Sequence, residues 1–182
     1  MSTSDTIIDA AMAIVRDQGV GKLTLDAAAK VAGVSKGGVL YHFKSKDDLI
    51  RGMVQRLIDQ CDQLNRDYYQ REPEGPYRWA RTLVRACFDP TGPANDPVGG
   101  ALLAAITVNP DLMAPVHAMY ALWQDRIASD SPDVTRAGLI RTAMDGLYFQ
   151  RLMGIRLGDD KAGECLMRHA LDLLTVKEGG PS

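Results

Sequence analysis

Apolar residues recur at three- and four-residue intervals along almost the whole chain, the period of helices buried along one face. Ile7, Ala11, Ile14 and Val15 form the first such stripe, with Ser4 or Asp5 as its cap, Gly19 as its terminator and Met1 to Thr3 as a disordered tip. Thr24 opens a short second helix whose Ala27, Ala28, Ala29, Val31 and Ala32 are small enough for a close helix crossing, and Gly33 supplies a tight turn. Ser35 opens a third, with Val34, Val39 and Phe43 facing inward. Ser45 caps a fourth, with Asp47 and Asp48 favourable in its first turn. Leu49, Met53, Leu57, Cys61 and Leu64 run along that helix, and no breaker occurs before Pro73. At about 1.5 Å per residue it spans more than about 30 Å, too long for a three-helix head alone. The helix over 47–70 is therefore predicted to be a connector between an N-terminal domain, 1–46, and a C-terminal domain, 47–182.

Punctuation divides the remainder. Glu72 to Pro76 breaks the chain, and Pro76 opens a fifth helix through Trp79, Leu83 and Cys87. Asp89 to Pro97 reads as loop. Asp96 and Pro97 start a sixth, very apolar helix to Val108, with Gly99, Gly100, Ala101, Ala104 and Ala105 leaving room for close packing or a ligand. Asn109 and Pro110 start a seventh, distorted at Pro115 and carrying Met113, Val116, His117, Tyr120, Trp123 and Ile127. Ser131 and Pro132 begin an eighth through Ile140, Met144, Leu147 and Phe149, stopping near Gly158. Asp159 begins a ninth with Leu166, Ala170, Leu173 and Leu174, before a frayed tail from Lys177. No run alternates as a strand does. The expected fold is all-α, about nine helices.

Charge changes the picture only when it is placed. The formal net charge of −2 argues against a polyanionic partner, yet Lys22 to Arg56 holds seven Lys or Arg against three Asp. Counterion release depends on the charges that face phosphates, so the local excess is the relevant quantity. Cys61, Cys87 and Cys165 show no CxxC spacing, no secretory leader pattern precedes them, and no apolar run approaches the ~18 residues of a membrane span. These point to a cytoplasmic protein with no membrane partner. HExxH, Walker A, GxGxxG and GxSxG motifs are all missing, so no enzyme is expected. Cys165 and His169 are spaced as a metal pair, but two ligands do not make a site. No metal or cofactor is predicted.

The stretch Thr24 to Lys46 carries the chemistry. Two short helices around a tight turn form a helix-turn-helix whose second helix suits a groove of double-stranded DNA. Thr24 can present its hydroxyl and free backbone N–H groups to a phosphate, and Lys46 can clamp the backbone from the other side. Tyr41 and His42 can reach phosphate oxygens, while Lys36 can reach guanine N7 and O6 in the major groove. Ser35 caps this reading helix. Gly37 and Gly38 disfavour a helix, which makes sense if something must approach the backbone closely. Alternatively, the two glycines only soften a turn and His42 only caps the helix.

The run GVSKGGVLYHFKSKDDL resembles the helix-turn-helix of the TetR family of transcriptional regulators, roughly G-V-S-x-x-x-x-Y-x-H-F-x-S-K-x-x-L. The resemblance extends back through IIDAAMAIV and covers residues 4 to about 50. Two residues before the histidine the family usually has an aromatic; this chain has Leu40 there and its tyrosine one place later, at Tyr41. The resemblance implies an effector held in the C-terminal helical domain and a four-helix bundle pairing two protomers. The aromatic and Met-rich residues Trp79, Met113, His117, Tyr120, Trp123, Met144 and Tyr148 then read as a pocket for a moderately apolar small molecule. Read without the resemblance, they serve equally as core. Ala137, Ile140, Ala143, Met144 and Leu147, with Leu166, Ala170 and Leu173, suit the dimer face. The expected function is a ligand-responsive, homodimeric repressor on a palindromic operator, released by its effector. The competing reading is an all-α small-molecule binding protein or enzyme that binds no operator.

Overall fold

The computed structural model describes residues 2–155, 158 and 160–175, and only the backbone at 94, 104, 107, 108 and 160. Among these residues there are nine α-helices and no strand: α1 (Thr3–Gln18), α2 (Leu25–Ala32), α3 (Lys36–His42), α4 (Lys46–Arg71), α5 (Arg78–Cys87), α6 (Pro97–Val108), α7 (Ala114–Asp130), α8 (Val134–Leu152) and α9 (Asp160–Leu173). They fall into two units. The first comprises Met1–Gln60 with Asp96–Ala118, the second Cys61–Asn95 with Met119–Ser182, so α4 and α7 each contribute to both.

In the first unit the local chemistry of each helix start decides its boundary. α1 begins earlier than the periodicity suggests. The Ser2 hydroxyl accepts the Asp5 N–H at 3.1 Å and the Asp5 carboxylate accepts the Ser2 N–H at 2.9 Å. This reciprocal box satisfies two otherwise orphaned donors, so Ser2 is the cap in place of Ser4 or Asp5, and Thr3 is helical. Met1 lies outside the described residues. Thr24, Ser35 and Ser45 accept the N–H groups of Ala27, Gly38 and Asp48 at 3.0 Å each, as expected of caps. Gly33 (φ 69°, ψ 27°) adopts the left-handed conformation that ends α2. Ile7, Ala11, Leu23, Ala28, Val39, Leu49 and Met53 are fully buried, and Val98, Leu102 and Leu112 complete the same core. The helix-turn-helix thus sits inside a larger unit that draws in residues 96–118. Arg16 pairs with Asp96 at 2.7 Å, and the Asn109 amide donates to Asp47 at 2.7 Å, reinforcing that inclusion.

The second unit packs Tyr77, Ala80, Val84, Ile127, Ala137, Ile140, Met144, Ala170 and Leu174 into one core. Here the prolines mislead. Pro76 does not open α5; Tyr77 follows it in a left-handed conformation (φ 60°), and the helix begins at Arg78. The free N–H groups of Tyr77 and Trp79 are met by the Asp130 carbonyl and carboxylate, each at 2.9 Å, so a distant residue does the work of a cap. Glu72, buried to 3% side-chain exposure, accepts from Arg81 at 2.7 Å and Arg85 at 2.6 Å. Asn109 and Pro110 open a separate 3₁₀ turn, Pro110–Met113. α7 starts after it, so Pro115 occupies the second helical position, where its missing N–H breaks no bond. Asp133 caps α8 in place of Ser131, and α8 ends at Leu152, well short of Gly158. Asp159 and Lys177 lie outside the described residues.

Candidate nucleic-acid interface

Ala28 and Ala29 of α2 are buried in one core with Val39 of α3, whereas Val31, expected at their crossing, is 55% exposed. Lys36, Gly37, Tyr41 and His42 are exposed, Tyr41 to 76%, and Gly38 is half-buried. The two glycines are informative. A β-carbon on Gly37 would meet only the Ser35 hydroxyl at 3.8 Å; on Gly38 it would meet that oxygen at 3.4 Å and Val34 Cβ at 3.8 Å. Both are ordinary contacts, and neither residue has a positive φ. The fold itself therefore has no use for glycine at either position, although each costs a helix about 1 kcal/mol relative to alanine.

The cations differ in how committed they are. Lys36 Nζ lies 3.0 Å from Asp26 Oδ1 on α2. Lys46, half-buried, donates to the Val20 carbonyl at 3.1 Å and ties the start of α4 to the turn before α2. Lys44, which the sequence did not single out, donates to the carbonyls of Leu40 at 2.9 Å and Tyr41 at 3.3 Å, with its ammonium 5.9 Å from the Tyr41 ring centre. Its signal was positional: a lysine just past a helix end completes the last carbonyls. Tyr41 and His42 meet edge to face at 5.0 Å, and the residue capping α3 is Phe43, not His42.

Trp79, Tyr120, Trp123, Met144 and Tyr148 belong to the second unit, whereas Met113 and the exposed His117 belong to the first. Trp79 stacks on Tyr69 with ring centres 4.0 Å apart. Arg78 lies 4.1 Å over Tyr69 and Arg126 4.9 Å over Trp79, giving four layers of cation, ring, ring and cation. Arg126 also pairs with Asp62, which accepts from Trp123 Nε1 at 3.4 Å. Beside them, Arg141 lies 5.2 Å over the Tyr120 ring. Burial, then the neighbouring Asp145 carboxylate, push the Tyr120 phenol up to about 12; burial also raises Asp145. Periodicity located the aromatic residues but not Asp62, Arg126, Arg141 or Asp145, because charged partners several turns away leave no mark on a helical stripe. Cys165 Sγ lies 3.5 Å from His169 Nδ1, both exposed on α9, and no group of three metal-ligating side chains occurs among the described residues.

A helix-turn-helix head followed by a separate helical unit is the architecture of a one-component transcriptional regulator. Residues 7–53 match the family model for bacterial regulatory proteins of the tetR family, and residues 77–175 match the tetracyclin repressor-like C-terminal domain. The chain belongs to the TetR family of transcriptional regulators. It is 30% identical over 82 residues to the HTH-type transcriptional regulator AcrR of Shigella flexneri, a match covering 45% of this chain and 38% of that protein. The matched segment thus spans well under half of this curated relative. A transcriptional regulator from Rhodococcus sp. Rha1 shares the fold with a TM-score of 0.75 at 18% identity, covering 95% of this chain and 96% of the other. The multidrug binding protein EbrR complexed with ethidium gives 0.68 at 22% identity, covering 96% and 100%.

Proposed function

We propose that this protein is a ligand-responsive, homodimeric repressor that binds a palindromic operator through α3 and is released by a small apolar effector. Gly37 and Gly38 carry this reading: two glycines in one short helix, each with room for a β-carbon, are explained by a duplex that must approach the backbone. Lys36 then reads guanine in the major groove, while Thr24, Ser35, Tyr41, His42 and Lys46 position the head on phosphates. Ala137, Ile140, Met144, Leu147 and Ala170, expected on the dimer face, are buried within the protomer itself; the exposed apolar residues of α8 and α9, among them Leu139, Phe149, Leu166 and Leu173, support pairing with a second copy. Two heads so paired would read half-sites about 34–36 Å apart.

The effector site is assigned to the second unit, around Trp79, Tyr120, Trp123, Met144 and Tyr148. The structural relative complexed with ethidium supports a flat, aromatic ligand. Such a ligand can release DNA only by binding unequally to the DNA-competent and released states. Selecting DNA from a random pool with the purified protein tests the reading. A palindromic consensus is expected; recovery of unenriched sequence would remove the operator from the account.

A further inference from the structure

Between Thr24 and Lys46 the chain carries four lysines and a single carboxylate, Asp26. That carboxylate is not turned away from the reading helix. Lys36 Nζ lies 3.0 Å from its Oδ1 and 3.1 Å from its Oδ2, although the two residues are ten apart in sequence. Asp26 is not the cap of α2, since Thr24 already accepts the Ala27 N–H. Side-chain exposures of 62% for Lys36 and 65% for Asp26 mean that water can replace either partner, so the pair opens at little cost. Against a polyanion, however, a carboxylate beside the reading lysine is unfavourable on every duplex. A sequence that offers it a donor would offset that cost.

We propose that Asp26 is a specificity-determining residue. In the free protein it holds Lys36 at short range. In the major groove the pair separates, Lys36 donating to guanine O6 and N7 while Asp26 accepts from the N4 amino group of a cytosine. The two side chains together favour a G·C-containing step, and Asp26 discriminates against duplexes that lack the amino donor. This rests on the proposal that α3 reads DNA.

The test compares the wild type with Asp26→Asn, using a duplex selected by the wild type and a scrambled duplex of equal length. Asp17→Asn, which removes a charge from the exposed last turn of α1, serves as the control. Asp26→Asn is expected to lower the ratio of selected to scrambled affinity by roughly 5- to 100-fold, through tighter scrambled binding and a lost G·C preference in re-selection. Asp17→Asn should strengthen both by a similar factor and leave the ratio alone. An unchanged ratio for Asp26→Asn, or the same fall for Asp17→Asn, overturns the assignment. Failure of the wild type to select any sequence instead overturns the DNA-binding proposal beneath it.

Discussion

Gly38 sits against Ser35: a β-carbon there would lie in contact, 3.4 Å from the hydroxyl that caps α3. Gly37 is more open still, its nearest neighbour the same hydroxyl at 3.8 Å. Alanine at position 37 should therefore stabilise the free protein by about 0.5–1 kcal/mol in chemical denaturation. The same variant should lose about 5- to 150-fold in operator affinity, the 1–3 kcal/mol that one mismatched position in a protein–DNA interface typically costs. A gain in stability without a loss of binding would leave the glycine unexplained.

Lys46 has two roles on this account. Its ammonium holds the Val20 carbonyl, so Lys46→Met should cost about 1 kcal/mol of stability. It should also weaken binding to all DNA alike and reduce the slope of log affinity against log salt by about one. Titrations at several salt concentrations, beside urea melts, separate the two effects.

Glu72 stands between two arginines with almost no exposure. Glu72→Ala removes the buried carboxylate shared by Arg81 and the more exposed Arg85, and a loss of about 1.5–3 kcal/mol in equilibrium denaturation is expected. An effect below about 1 kcal/mol would show that the cluster is solvated.

Alkaline pH should weaken the second unit through Tyr120. The fold holds this phenol's proton up to about pH 12, whereas the unfolded chain releases it near the ordinary value of 10. The folded state then binds more protons, so stability is fully present below pH 10 and falls as pH rises towards 12. Tyr120→Phe should flatten that part of the stability–pH curve, as measured by urea denaturation at each pH.

Much of this architecture was legible in the sequence. Caps at Thr24, Ser35 and Ser45, the glycine turn at Gly33 and the apolar stripes are local signals, and the structure uses them as they stand. Proline was harder to interpret. Pro76, Pro110 and Pro115 each mark a break, but whether a helix starts at, after or around one depends on remote partners such as Asp130. The wider makeup of the first unit was equally hidden, because Val98, Leu102 and Leu112 join a core far behind them in sequence. Within the candidate site, residue type and spacing pointed to Lys36, Gly37 and Gly38. They could not show that Lys36 meets Asp26 or that Lys46 meets Val20, since both contacts depend on how α2 and α4 cross their neighbours.

Titrating the purified protein against the palindrome it selects, with mass and affinity read together across salt concentrations, tests the central claim most directly. Two protomers per duplex, and a preference over scrambled DNA of at least about 10³, are the predicted result. One protomer per duplex, or equal affinity for both sequences at every salt concentration, would contradict it.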